Sequence, residues 1–238
     1  MRSHRMTSVL GIAMALALLS AASFAQSGNP PKAAKTSNSG DLYDISGVWN
    51  YDHFHNDIFP TGTTPPFTPW GEARFKAANT LVNDPNLGCL PHGVPRVMMA
   101  PLPIEIFQTR DRVLIEQESL NEMRQIHMNR GHRVDPDPSY NGDSIGHWEG
   151  KVLVVDTTGF NDITWLDHGG LPHSDQLHVI ERIQRIDHDT LRDDFTIEDP
   201  KTYTKIWTTS QGYKLHPDWE LEENVCESNH YVYHPQQQ

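Results

Sequence analysis

Six of the chain's 14 histidines, His127, His132, His147, His168, His173 and His178, crowd into 52 consecutive residues. Imidazoles at that density suit a metal site or acid–base chemistry near neutral pH. His132, His173 and His178 make the candidate metal set, for a divalent ion such as zinc. A scatter of surface and loop histidines is the plainer alternative. His173 leads as catalytic base, because Leu171-Pro172 fixes its approach and a strand follows it. Glu181 shares one face of that strand with Leu177, Val179 and Ile183. Turned inward, it is a carboxylate among apolar groups, where desolvation favours its neutral form and suits it to proton transfer. The competing expectation pairs Glu181 with an arginine such as Arg124 and makes the pair structural. An inward Arg124 could instead clamp a substrate carboxylate with two hydrogen bonds. His132, His173 and Glu181 are thus expected to converge in one cavity as the catalytic group. Arg124, Asp156, Trp165, Asp167 and His178 are the expected substrate-binding residues.

Most of these residues lie between positions 141 and 183, which read as strand, polar loop, strand. The apolar run 152–155 follows Trp148-Glu149-Gly150-Lys151, a hairpin turn, and precedes the crowded polar segment. Elsewhere, strands are expected over 45–49, 104–108, 112–118, 122–128, 144–148, 151–157, 177–186, 190–197, 202–209, 220–226 and 230–233. Leu191, Asp193, Phe195 and Ile197 alternate against Arg192, Asp194 and Thr196, the period of two of a strand with one buried face. One helix is expected over 68–78, with Thr68 as N-cap, Pro69 at the first helical position and Glu72 near the capping-box position. Five prolines between 83 and 103 forbid central strands there. Short turns join the strands, so neighbours should pair antiparallel. A sheet this wide leaves exposed edges unless it closes. The expected fold is therefore all-β: an antiparallel meander closed into a barrel of about eight to ten strands, with one short N-terminal helix.

Residues 1–25 read as a secretory signal peptide: Arg2 and Arg5, an apolar stretch over 9–19, then Ser23-Phe24-Ala25 before Gln26. Residues 26–40 lack large apolar side chains and read as a flexible lead-in. Residues 41–238 make one domain of ordinary size. In an exported chain, Cys89 and Cys226 are expected to form a disulfide, the alternative being two unpaired thiols. The net charge of −12 and the lack of any Lys/Arg cluster argue against nucleic acid and anionic membrane surfaces as partners. No later apolar stretch is long enough to span a membrane. Phosphate loops, dinucleotide fingerprints and the Gly-x-Ser-x-Gly elbow are all missing. Ser174 beside His173 makes no triad, since adjacent side chains seldom face each other.

The run Trp148-Glu149-Gly150-x-x-Leu153-Val154-Val155-Asp156-Thr157-x-Gly159-Phe160-Asn161-Asp162, then Trp165-Leu166-Asp167 and Pro172-His173-Ser174-Asp175-x-Leu177-His178-Val179-x-Glu181-Arg182, resembles a family of exported bacterial proteins of unassigned function. Cys89-x-Pro91-x-Gly93-x-Pro95-Arg96 and Asp199-Pro200-Lys201-x-Tyr203-Thr204-Lys205 resemble it too. The likeness spans roughly residues 41–230 and implies a lipocalin- or calycin-like barrel. His132 is kept, but Asp143 stands where that family carries a histidine; if that histidine is a ligand or base there, its role here is changed or carried by the carboxylate.

Three functions are weighed from these residues. One is an exported periplasmic or secreted enzyme acting on a small organic molecule in the barrel by His/Glu acid–base chemistry, of lyase, hydrolase or isomerase type, with or without a metal. Another is a lipocalin-like binding protein for an apolar or aromatic ligand. A structural module of the envelope is a third.

Overall fold

Nine strands pair in chain order, and the ninth pairs back to the first, so the sheet is a closed barrel. The computed structural model describes residues 43–53, 58–59 and 63–226. The expected leader, lead-in and strand at 230–233 lie outside the described residues. The strands are β1 (Gly47–Tyr51), β2 (Ile104–Gln108), β3 (Arg112–Gln117), β4 (Glu122–Met128), β5 (Asp143–Glu149), β6 (Val152–Thr158), β7 (His178–Asp187), β8 (Thr190–Glu198) and β9 (Trp207–Leu215). This is the all-β, lipocalin-like barrel expected. Helix α1 (Pro69–Ala77) follows the capping signal, with Thr68 Oγ1 accepting from the Gly71 amide at 3.2 Å.

Four details differ from the expected pattern. Strands β4 and β5 run parallel, with Ile126 opposite Ser144. Parallel neighbours need a connection of a dozen or more residues, and 129–142 supplies it. The strand expected at 202–209 starts later, because the Asp199 carboxylate takes the amides of Lys201 and Thr202 and bends the chain there. Residues 220–226 form an irregular strap instead of a strand. Its acidic Glu220-Leu221-Glu222-Glu223 stretch has no face to bury. Finally, the proline-rich stretch holds a 3-10 turn (Pro85–Gly88) and a four-residue helix α2 (Arg96–Met99).

Alternate residues fill the barrel. Trp49, Ile104, Ile106, Val113, Ile115, Ile126, Leu153, Val155, Val179, Ile183, Leu191 and Phe195 are all essentially inaccessible. Trp49 donates its indole N–H to Ile45 O at 2.9 Å, and the Arg185 guanidinium on β7 lies over its ring. A polar belt interrupts this core: Arg124, Ser144, Thr157, Glu181 and Asp193 come from five successive strands and are each under 5 % exposed.

Candidate active site at one end of the barrel

The residues singled out from the sequence fall into three separate places. Glu181 and Arg124 face each other inside the barrel, where the guanidinium donates to Oε1 at 2.7 Å and also to Oε2. Its Nη2 further donates to Ser144 Oγ and Thr157 Oγ1, both at 3.2 Å. Of the two expectations for Glu181, this geometry matches the ion pair. Asp193 lies beside it with no hydrogen-bond donor on either oxygen. Burial, then the Glu181 charge, pushes the Asp193 carboxyl well above the usual carboxylate range. The Asp193 carboxyl therefore gives up its proton less readily than an exposed one.

His132, Asp156 and His178 meet on the outside of the barrel. Asp156 Oδ1 accepts from His132 Nε2 at 3.1 Å and from His178 Nε2 at 2.9 Å. His132 Nδ1 faces Asp143 Oδ2 at 3.1 Å. Asp143 also takes Arg130 and Arg133, so it anchors the β4–β5 connection. Against the cost of burial, hydrogen bonds from the Arg133 amide, His132 and the Arg133 side chain hold the Asp143 pKa at about 2.

His173 sits in a third place, buried in the polar loop. Its Nδ1 donates to Ser174 O at 3.1 Å, so Nε2 accepts from Thr164 Oγ1 at 2.8 Å. Burial pushes its pKa down, which keeps the ring neutral. Asp167 accepts from the amides of Gly169, Leu171 and Ile58, and Trp165 bridges to Pro172. These are bonds that fold the loop.

The expected convergence of His132, His173 and Glu181 is therefore corrected. The reason is strand periodicity: His178 and Glu181 are an odd number of residues apart on β7, so they point to opposite faces. The metal set of His132, His173 and His178 is corrected with it. Both His173 nitrogens are committed to Thr164 and Ser174, and among the described residues no group of three or more His, Cys, Asp or Glu side chains could hold a metal ion.

A different set of three does converge, at the end closed by the β3–β4 turn. Glu122 opens β4 at an inward position and is buried. Its Oε2 accepts both the His92 amide at 2.7 Å and His92 Nδ1 at 2.9 Å, while Oε1 accepts from Asn141 at 2.9 Å. Burial alone would raise the Glu122 pKa, but His92, by hydrogen bond and charge, and Asn141 outweigh it and hold the carboxyl below its usual range. An ionised Glu122 fixes the imidazole proton on Nδ1. The lone pair on Nε2 then faces Ser119 Oγ, 3.4 Å away. Hydroxyl, imidazole and carboxylate thus stand in the order of a catalytic triad. The first gap is longer than a closed hydrogen bond, as is common before substrate binds.

Local structure explains why these side chains meet. Ser119 starts a tight turn in which Leu120 and Asn121 are left-handed, at φ 64° and 46°. Such a conformation in a leucine costs on the order of 1 kcal/mol and needs external support. Support comes from Gln117 Oε1, which accepts the Ser119 amide, and from the strap, whose Asn224 bonds both ways with the Asn121 side chain. His92 is held from the other side. Gly93 (φ 73°) lies so close to Thr164 and Tyr140 O that a Cβ there would sit under 3 Å from both. Only glycine lets this loop pack flat. Cys89, three residues before His92, is bonded to Cys226 at the strap's end, which is the disulfide expected from the sequence. Behind His92 stands His168, whose pKa burial and then Arg96 push down to about 3.

The sequence carried little sign of this group. Ser119 was visible only as a turn residue, Glu122 as a strand's first residue and His92 as part of a proline-rich loop. They are 27 and 30 residues apart in the chain and match no local motif. No protein-family description matches the chain, and no curated protein or solved structure is similar to it.

Proposed function

We propose that this protein is an exported hydrolase that cleaves small esters by acyl transfer to Ser119. The observation that carries the reading is the ordered series Ser119 Oγ, His92 Nε2, His92 Nδ1, Glu122 Oε2, whose first step spans 3.4 Å. Ser119 Oγ attacks the ester carbonyl carbon and passes its proton to His92 Nε2. Glu122 stabilises the imidazolium that results. Collapse of the tetrahedral intermediate breaks the bond to the alkoxy oxygen, and His92 returns the proton to the departing alcohol. Water then attacks the acyl-serine with His92 as base, and the acid leaves as Ser119 recovers its hydrogen. Hydrolysis is one of the three reaction types expected from the sequence, with His92 and Glu122 in the roles first given to His173 and Glu181.

A fluorophosphonate probe tests the proposal. Incubated with the oxidised protein, it should label Ser119, read by peptide mass spectrometry. Labelling should vanish in Ser119→Ala and fall at least about a hundredfold in rate in His92→Ala, the scale of a lost general base. A protein that takes no label, or one still labelled after Ser119→Ala, would refute it.

A further inference from the structure

A cavity of about 520 Å³ opens beside the Ser119 turn. Glu118, the residue before the proposed nucleophile, forms part of its wall. Pro101 and Pro103 line another side, and Trp219 closes it together with Glu220 and Glu222 of the strap. Trp219 is 43 % exposed, and the His216 ring stacks behind it at 3.7 Å. Glu118 Oε2 accepts the Glu222 amide at 3.0 Å, which fastens strap to turn. The lining holds three carboxylates, one tryptophan and no basic side chain.

We infer that this cavity receives a positively charged organic group of the substrate, an ammonium or a guanidinium. The inference rests on the hydrolase reading above. An aromatic face attracts such a cation at close range, most of all where water is partly excluded. Surrounding carboxylates add a longer-ranged pull. The volume lies within the range of small-molecule sites and far exceeds a bare metal ion. A hard divalent ion would need six or more oxygens around it, and here proline and tryptophan occupy much of the wall. Glu118 ties this cavity to the proposed nucleophile, because it lines the wall and directly precedes Ser119.

Two thioesters of matched shape test this: acetylthiocholine and its neutral isostere, 3,3-dimethylbutyl thioacetate. The cationic ester should be cleaved with a kcat/KM at least about tenfold higher, the size of one good cation–π contact with charge assistance. Added salt should shrink that ratio, and Trp219→Ala should bring the two values together. Equal cleavage of both esters by the native protein overturns the inference and leaves the hydrolase standing. Should neither be cleaved, titration with benzyltrimethylammonium decides, followed by the tryptophan fluorescence lost in Trp219→Phe. Quenching there keeps the cation site and removes the hydrolase; no quenching removes the site.

Discussion

Replacing Arg124 by Met separates a structural from a catalytic role for the buried ion pair. Both partners are fully buried, and every Glu181 oxygen is satisfied by the guanidinium. Arg124→Met strands Glu181 in a dry interior, beside Asp193, with no counter-charge. Breaking a buried pair from one side costs about 3–5 kcal/mol. For a domain of this size each kcal/mol moves the melting temperature by about 2–4 °C. The expected fall is therefore roughly 6–20 °C, measured by calorimetry at pH 7. Removing both charges, with Arg124→Met and Glu181→Leu together, should recover most of that loss. Ser144 and Thr157 keep each other at 2.9 Å in either variant, so they add no new orphan. In the double variant Ser119 should still take the fluorophosphonate probe at the native rate at 20 °C. A single variant that melts like the native protein would refute the energetic argument. A stable double variant with an unreactive Ser119 would return Glu181 to the chemistry.

Two further outcomes follow from groups already described. Glu122→Gln keeps the side chain's shape but removes the charge that stabilises imidazolium. It should slow probe labelling by about 10²- to 10⁴-fold while the melting point moves by only a few degrees, and unchanged labelling would remove Glu122 from the triad. Asp193→Asn tests the raised carboxyl. The native group holds its proton to higher pH when folded than when unfolded, where it ionises near about pH 4, so unfolding above that pH favours proton release. Its stabilising contribution is complete below pH 4 and is lost as pH rises towards its folded value. The variant should therefore gain on the native protein by up to about 1.4 kcal/mol per pH unit as pH rises from about 4 towards the folded value, read from urea midpoints. A constant difference across that range would show that Asp193 is ionised in the folded state.

What the sequence disclosed was mostly local. Thr68-Pro69 announced α1 because a cap and a proline act within one turn. The alternation of β8 and the tight turns between strands announced an all-β chain, and strand edges then required closure. The two cysteines announced a disulfide. Strand faces were harder to read. The Glu181–Arg124 pair was one of two open readings of Glu181, and His178 and Asp156 were grouped with these residues although they point outward. The parallel step between β4 and β5 escaped, because a long irregular connection can return to either end of a barrel. Ser119, His92 and Glu122 escaped for a related reason. Their meeting depends on a leucine forced into left-handed backbone, a glycine pressed on Thr164 and a strap tied down 104 residues beyond the turn. None of these leaves a spacing that can be read along the chain.

The Cys89–Cys226 bond also imposes an order of events. Barrel closure is finished once Leu215 has paired with Trp49 on β1. The strap that follows is added only after the last strand exists. A chain synthesised from its N-terminus carries Cys89, made after β1, as a waiting thiol through the eight strands that follow, and the partner arrives only with the final turn of the described chain. The bond therefore reports that the strap has been made and has reached the Cys89 loop. A product cut short after β9 retains every strand needed to close, but it shows an unpaired thiol three residues from His92 and lacks the wall that Trp219 provides. Arrival of the strap is recorded covalently, beside the turn that the strap holds.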